Sequence, residues 1–318
     1  MQIHHTTGAM LSPPDSRDYK AKDYLARGAR PAEYHPELLA PVEDQGNIGC
    51  CVAQALAAAK TYMEYRERRS MIPFSVDFIY HNRKPEHYQG EGMFLREALS
   101  QLCKDGVPER QHLPTVTPYP SAAIAQVVAA LKDLAQDQAI SSYVSCDDDS
   151  EVCDAIAQTG AAVIVVEAGQ SFSVNYKVFG GGLLLPTPWP DEKGTGYHAI
   201  AAIGYDERGI KIQNSWGTDW GDGGFAILPW GYSLTRERWT VVDKVDDWDI
   251  VELYVNDRRA RRNGVEMLLD VPPRIIDGRT MVPLRAIGEA LGCRVDWIGS
   301  QRKIVVRRRR QKQNSPEK

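Results

Sequence analysis

The sequence predicts an α+β protein with two lobes, followed by a second, smaller α+β domain. Helical patterns dominate the first 140 residues, whereas short strand patterns bounded by Gly and Asp dominate the segment that follows. Near residue 245 a further set of short strand patterns begins, with one helical pattern among them. The length of 318 residues exceeds one typical hydrophobic core and also indicates about two domains.

The charge distribution supports this division. Residues 246–318 carry 16 Lys and Arg against 11 Asp and Glu, a net +5, whereas residues 1–245 carry 22 against 31, a net −9. The first 40 residues are rich in Pro, Asp, Tyr and charge, which predicts an extended segment rather than a packed element. The predicted boundaries are an N-terminal arm at 1–40, a main domain at 41–245, a small domain at 246–310 and a tail at 311–318.

Three helices are predicted in the first lobe. The first covers 50–68, where apolar residues recur on one helical face and basic residues fill the last turn. The second covers 94–105, with a leucine stripe that stops at Gly106. The third covers 121–136. Together these helices would form one lobe of the main domain.

Strands are predicted at 161–168, 199–205 and 210–216, where short β-type runs lie between Gly and Asp turns. The connection 169–197 is long, and a loop of that length is often functional. The small domain contains four further strand patterns and one helical pattern at 283–292. No apolar run reaches the roughly 18 residues that a membrane span needs.

Two adjacent cysteines, Cys50 and Cys51, open the first predicted helix. A cysteine reacts as the thiolate, which a helix N-terminus and a nearby imidazolium both favour. By itself the pair is more typical of buried packing, and half of a disulfide or a metal-ligand pair is also open. His198 begins one strand pattern and Asn214 ends the next. If these strands are neighbours, Asn214 can hold one nitrogen of His198 and aim the other at a thiol across a cleft.

Three segments, QGNIGCCVA, YHAIAAIGY and NSWGTDWGDGG, resemble the motifs of the papain family of cysteine peptidases, in the family order. Three more segments resemble its bacterial members: PDSRDY, PFSVDFIYHNRK and EGMFLREALSQLCKDGVPER. The resemblance covers most of residues 40–232. It implies a two-lobed papain-like fold, with a helical lobe and an antiparallel β lobe, and it implies hydrolysis of peptide bonds.

The resemblance also implies a role for each matching residue. In the family the nucleophile lies six residues after a glutamine, so counting from Gln45 gives Cys51, and Cys50 becomes a small structural neighbour. His198 would be the ion-pair partner of Cys51 and the acid that protonates the leaving amine. Asn214 would orient His198. The amide of Gln45 and the backbone N–H of Cys51 would stabilise the oxyanion.

Two further residues are predicted to border the substrate. Gly92 lies where relatives line the substrate groove with glycine backbone, and Trp216 would also shield the Asn–His contact from water. The chain departs from the family pattern at Val52, where an aromatic residue is usual, and at Ile48, where relatives have a disulfide cysteine. Neither departure removes a catalytic group.

The predicted function is therefore that of a cysteine-type endopeptidase that acts through an acyl-thioester and needs no cofactor or metal. One alternative is a catalytically silent scaffold that binds peptide and is presented by the C-terminal module. Another is an exopeptidase or acyl transferase with the same dyad, which a blocked groove or an N-terminal extension in the cleft would favour. Because only 50 residues precede Cys51, we expect an arm that wraps the lobes without inhibiting them.

The segment DGRTMVPLRAIGEALG in the small domain resembles a bacterial module named for the N-terminal domain of copper amine oxidases. The name does not imply copper, because residues 246–318 contain no histidine and a single cysteine, Cys293. The expected role is a spacer or attachment to a protein or cell-surface partner, with a solubilising appendage as the alternative. The other expected partner is a peptide or protein substrate; neither nucleic acid nor a membrane span is expected.

The N-terminal sequence lacks the apolar core of a secretory signal, which predicts a cytoplasmic chain with reduced thiols. Leaderless export to the extracellular space is the alternative, because the C-terminal module usually occurs on exported bacterial proteins. Six cysteines in 318 residues are also too few for a disulfide scaffold.

Overall fold

The computed structural model of the chain divides into two compact units, Met1–Lys244 and Val245–Lys318. The predicted tail at 311–318 and part of the predicted loop at 169–197 lie outside the described residues. The structure describes residues 6–25, 30–88, 90–173, 183–242, 251–262, 265–290, 293–299 and 302–308.

The helices of the first unit lie mainly before its central strands. Their bounds are α1 Ala21–Tyr24, α2 Cys51–Arg68, α3 Val76–His81, α4 Leu95–Asp105, α5 Ala122–Ala130, α6 Lys132–Gln136, α7 Asp149–Thr159 and α8 Gln170–Ser173. The predictions at 50–68 and 94–105 are confirmed by α2 and α4. Helix α4 is capped at its C-terminus by Gly106, whose φ of 68° favours glycine.

The single helix predicted at 121–136 is wrong, because the structure breaks it at Leu131 into α5 and α6. The N–H of Leu131 is shared between the carbonyls of Val127 and Val128, a pattern typical of a helix end. The break gives each short helix its own buried contact, through Val128 in α5 and Ala135 in α6.

One eight-stranded sheet organises the first unit. Its main order is β2-β1-β5-β4-β8-β3, and β6 pairs with β5 and β7. The strands are β1 Ala9–Met10, β2 Met93–Phe94, β3 Ser142–Ser145, β4 Ala162–Glu167, β5 Tyr197–Asp206, β6 Gly209–Gln213, β7 Phe225–Pro229 and β8 Thr235–Val242. Helices and an antiparallel central sheet confirm the predicted α+β class.

Strand β5 lies between two hydrophobic cores. Because side chains alternate along a strand, Ala199 and Ala201 join the core around α2, whereas Ile200 and Ala202 join the core that contains α7. The strands predicted at 161–168 and 199–205 are confirmed by β4 and β5. The strand predicted at 210–216 ends earlier, at Gln213. The chain then turns into a loop that is fixed by the N–H of Asn214, which donates to the carbonyl of Gly224 at 2.9 Å.

The predicted absence of packed structure in the arm is also wrong. Ala9 pairs with both Met93 and Tyr197, so that β1 lies between β2 and β5 in the sheet. A two-residue strand of this kind has no periodic pattern in the sequence, because its partners lie far away in the chain.

In its described residues, the second unit contains short antiparallel sheets and one helix, which confirms a small α+β domain. Strands β9 Val251–Leu253, β10 Arg259–Arg262 and β11 Val265–Leu268 form one sheet. Two hairpins follow, β12 Arg274–Ile276 with β13 Arg279–Met281, and β14 Cys293–Ile298 with β15 Lys303–Arg308. Helix α9, Leu284–Ala290, lies within the helix predicted at 283–292.

Candidate active site

Cys51 is the first residue of α2, and its side chain is fully buried. Its sulfur faces the backbone amide of Ala199, the residue that follows His198 in β5. The sulfur also faces the backbone amides of Gly8 and Ala9 in the arm. The thiol therefore lies where α2, the start of β5 and the arm meet.

Burial raises the pKa of the Cys51 thiol to about 11, although the surrounding amides act to lower it. This direction is opposite to the one expected for a helix N-terminus, because removal of the sulfur from water outweighs the local donors. Burial, followed by the neighbouring Cys51, raises the pKa of Cys50 as well. Both are free thiols, which excludes a disulfide at this pair.

His198 and Asn214 form a short buried hydrogen bond. The distance between His198 Nε2 and Asn214 Oδ1 is 2.6 Å, and the side chains are 0% and 3% exposed. Asn214 Oδ1 also accepts the N–H of Ser215 at 2.8 Å, which fixes the orientation of the amide. With Nε2 bound to Asn214, Nδ1 is the ring nitrogen that would exchange a proton with a thiol.

An aromatic cluster encloses the His198 ring. The ring centroid of Trp216 lies 4.5 Å from that of His198, and the ring of Phe172 lies 5.7 Å away. Trp220 packs against Phe172 at 5.4 Å. All three aromatic side chains are buried, so they exclude water from the His198–Asn214 bond. Trp216 thus lies behind the imidazole, with only 3% of its surface exposed.

Gln45 connects the two lobes. Its Oε1 accepts the hydroxyl of Ser215 at 2.6 Å, and its backbone N–H donates to the carbonyl of Ser215 at 2.9 Å. Its Nε2 donates to the carbonyls of Ile48 at 2.8 Å and of Thr6, in the arm, at 2.9 Å. The side-chain amide of Gln45, which is expected to bind the oxyanion, is therefore held by the loop that carries Asn214. Its Nε2 already donates to the carbonyl oxygens of Thr6 and Ile48.

Gly92 lies beside the arm at the opposite edge of the site. A side chain there would meet the carbonyl oxygen of Gly8 at 3.1 Å, and the φ of 103° also favours glycine. The N–H of Gly92 donates to the hydroxyl of Tyr80 at 3.2 Å, and its carbonyl accepts from Arg83. It is the N–H of Met93 that donates to the Gly8 carbonyl, at 2.8 Å.

Three residues that support this edge, Tyr80, Arg83 and Glu91, were not predicted from the sequence. The Arg83 guanidinium lies over the rings of Tyr80 and Tyr119, at 4.2 and 3.6 Å from their centroids. The carboxylate of Glu91 accepts from the N–H of Gly49, two residues before Cys51, and from the Tyr80 hydroxyl at 2.8 Å. The only sequence signal was that these residues lie in segments that match bacterial relatives.

No metal step follows from the residues present. Within the described residues, no group of three His, Cys, Asp or Glu side chains is arranged to hold a metal ion. The C-terminal segment 246–318 also lacks histidine, so its donors do not fit copper. In the same described part of the chain, no helix is long and apolar enough to cross a membrane.

Comparison with protein families gives two matches. The family described as "Papain family cysteine protease" matches residues 31–235. The family described as "Copper amine oxidase N-terminal domain" matches residues 236–306. This second match begins inside β8, which pairs with β3 and β4 in the sheet of the first unit.

Individual relatives agree with the first match. The chain is 25% identical over 232 residues to an uncharacterized peptidase C1-like protein of Acanthamoeba polyphaga mimivirus, covering 66% of this chain and 72% of that protein. It is 28% identical over 201 residues to a senescence-specific cysteine protease of Oryza sativa subsp. indica, covering 58% of this chain. The chain spans only 52% of that rice protein.

Solved structures share the fold. Xylellain, a cysteine protease from Xylella fastidiosa, superimposes with a TM-score of 0.63 at 27% identity, covering 74% of this chain and 96% of xylellain. A Carica candamarcensis cysteine protease in complex with E-64 superimposes with a TM-score of 0.54 at 20% identity, covering 67% and 99% of the two chains. The latter likeness concerns the fold alone.

Proposed function

Since this chain belongs to the papain family of cysteine proteases, we propose that it is an endopeptidase that cleaves peptide bonds through Cys51, His198 and Asn214. The 2.6 Å bond between His198 and Asn214 carries this proposal. Buried aromatic rings keep water away from this bond, which fixes the orientation of the His198 ring. Because Nε2 is bound to Asn214, Nδ1 is the nitrogen that would exchange a proton with Cys51.

The reaction begins when the Cys51 sulfur attacks the carbonyl carbon of the scissile bond. The thiol proton passes to His198, and the oxyanion accepts hydrogen bonds from the Gln45 amide and the N–H of Cys51. This N–H belongs to the first turn of α2, where backbone donors have no partner within the helix. His198 then protonates the leaving amine, which produces an acyl-thioester that water hydrolyses.

Asn214 and Trp216 act through His198. Asn214 Oδ1 accepts a hydrogen bond from the Nε2–H of His198 and so stabilises the imidazolium that forms during the reaction. Trp216 covers this contact, which strengthens the hydrogen bond by excluding water. The mechanism requires no cofactor.

Substitution of each cysteine tests the assignment of the nucleophile. Cys51→Ala should reduce hydrolysis of an internally quenched peptide to the uncatalysed level, whereas Cys50→Ser should retain it. Gln45→Ala should lower kcat roughly 10²- to 10³-fold, the usual cost of one oxyanion donor. Peptidase activity that persists in Cys51→Ala would refute the assignment.

A peptidase restricted to chain ends is the second candidate, because the arm enters the cleft, but the position of the arm there does not match one. An extension that selects chain ends should close one side of the groove and leave the thiol open to substrate. Here the arm covers the thiol itself, at Gly8 and Ala9. Peptides blocked at both ends distinguish the candidates, because an endopeptidase cleaves them and an exopeptidase does not.

For the second unit we propose attachment to a protein or cell-surface partner. Large apolar side chains on its hairpins are exposed, including Ile275 at 61% and Trp297 at 55%, which supports a surface that a partner covers. The full chain should sediment with a bacterial cell-wall fraction, and residues 1–244 alone should not. Equal sedimentation of the two would contradict this role.

A further inference from the structure

A buried cation holds the edge of the site that contains Gly92. Arg83 is 4% exposed, and its Nη1 donates to the carbonyl of Gly90 at 3.3 Å and to the carbonyl of Gly92. The N–H of Gly92 donates to the hydroxyl of Tyr80 at 3.2 Å. Both backbone groups of Gly92 are therefore bound by side chains of the first lobe, which fixes residues 90–92, the wall.

Folding alone does not explain this buried cation. The Nε and Nη2 groups of Arg83 are buried and have no hydrogen-bond partner among the described residues. Burial of a charged group lowers stability unless the group is well bound. The ring faces of Tyr80, Tyr88 and Tyr119, with centroids 4.2, 4.7 and 3.6 Å from the guanidinium carbon, offset part of that cost. What the arrangement does achieve is a fixed position of the wall.

Glu91 connects the wall to the turn that leads into α2. Its Oε2 accepts from the N–H of Gly49 and from the Tyr80 hydroxyl at 2.8 Å, and its Oε1 accepts from the N–H of Tyr119 at 3.0 Å. Gly49 also fits closely against the wall, since a Cβ atom there would lie 3.0 Å from Glu91 Cβ and 3.2 Å from the nitrogen of Gly92. Glycine at position 49 therefore allows this approach of the two backbones.

The turn between Gln45 and Cys51 carries both groups that are expected to bind the oxyanion. Within it, the carbonyl of Gln45 accepts from the N–H of Ile48 at 3.1 Å. The N–H of Gly49 instead donates out of the turn, to Glu91. The contact with Glu91 therefore fixes the turn from outside, and it sets the position of the wall relative to the oxyanion donors.

We propose that Arg83 and Glu91 are positioning residues for hydrolysis. Arg83 holds the wall where a peptide substrate lies against Gly92, whereas Glu91 also holds the turn that places the N–H of Cys51. That the wall borders a substrate rests on the proposed function. The two residues have separable effects, because Arg83 acts on the binding of a peptide, and Glu91 acts in addition on the stabilisation of the oxyanion.

Two substrates separate these effects. An internally quenched peptide extends along the groove, whereas the acyl group of p-nitrophenyl acetate ends at the scissile bond but still needs the oxyanion donors. Arg83→Met should raise KM for the peptide about tenfold, the factor expected when a hydrogen bond to a charged group is lost. It should leave kcat for the peptide and kcat/KM for the ester within twofold of the unsubstituted chain. Arg83→Lys, which keeps the charge, should restore part of the lost affinity for the peptide.

Glu91→Ala should lower kcat for the peptide and kcat/KM for the ester at least about tenfold, a part of the loss of roughly 10²- to 10³-fold that removal of one oxyanion donor causes. Glu37→Ala is the matched control. Glu37 is likewise an exposed carboxylate that accepts a tyrosine hydroxyl, that of Tyr65 at 3.0 Å, near the C-terminal end of α2. This control should match the unsubstituted chain for both substrates, and a urea titration shows that each variant is folded in the assay.

Hydrogen exchange of the Gly49 amide provides a measurement that needs no peptidase activity. Glu91→Ala should accelerate this exchange at least about tenfold, because the N–H loses its acceptor, and Glu37→Ala should leave it unchanged. The proposal is overturned if Arg83→Met lowers hydrolysis of both substrates equally, or if Glu91→Ala behaves as Glu37→Ala does in hydrolysis and in exchange.

The same data distinguish this proposal from the proposed function. An unsubstituted chain that hydrolyses neither substrate would refute the peptidase, and the exchange rates would still decide whether Glu91 fixes the turn. Hydrolysis of both substrates with the same kinetics in every variant would retain the peptidase and refute the positioning roles.

Discussion

Removal of the Asn214 side chain is the change that most directly probes how His198 is held. Asn214→Ala deletes a 2.6 Å buried bond to a ring that becomes charged during the proposed reaction. A hydrogen bond to a charged group contributes about 1.5–3 kcal/mol. At about 1.4 kcal/mol per tenfold, kcat/KM should fall about 10- to 150-fold.

The pH profile adds a readout that a merely structural role would not change. In this mechanism His198 must be unprotonated to take the thiol proton, so it limits kcat/KM on the acid side. Asn214 stabilises the protonated ring, so its loss should move this acid limb to lower pH. Asn82→Ala is the matched control, because it removes an asparagine bond of 2.9 Å, to Asp105, away from the site. If Asn214→Ala and Asn82→Ala gave the same kcat/KM within twofold, and the same position of that limb in the pH profile, the orienting role of Asn214 would be refuted.

Three further predictions concern the thiol, the fold and the division into units. The rate of Cys51 alkylation should rise about tenfold per pH unit above pH 7 and level off only near pH 11, because the pKa of the thiol is raised to about 11. A plateau of this rate near pH 8 would contradict the prediction. In a urea titration, Gly106→Ala should lower the free energy of unfolding by more than Gly231→Ala does. Both glycines have positive φ, but only at residue 106 would a Cβ atom clash, at 1.8 Å from the carbonyl oxygen of Ala135. Residues 1–244 form one compact unit that contains every assigned site residue, so this fragment should hydrolyse peptides as the full chain does. Loss of hydrolysis in a folded fragment would contradict this prediction.

The sequence predicted the regular elements that carry the site. Helix α2 and strands β4 and β5 have strong local patterns, so their existence follows from periodicity. The spacing of three motifs further predicted which side chains meet, and the structure brings His198 and Asn214 into contact.

Other features depend on long-range contacts, which a local pattern does not contain. The two-residue strand at Ala9 exists only because Met93 and Tyr197 provide partners. The pKa of Cys51 follows from the same contacts, since a helix N-terminus alone would lower it. Tertiary packing therefore determines the pKa of the Cys51 thiol and the strand at Ala9, whereas the sequence motifs predicted which residues form the site.

Mass spectrometry of the acylated chain tests the central claim most directly. The chain, mixed with an activated ester of a short peptide and quenched in acid, should carry one acyl group on Cys51. The same chain with Cys51→Ala should carry none, and His198→Ala should acylate far more slowly. Turnover with no adduct, or an adduct on Cys50 alone, would contradict hydrolysis through a Cys51 thioester.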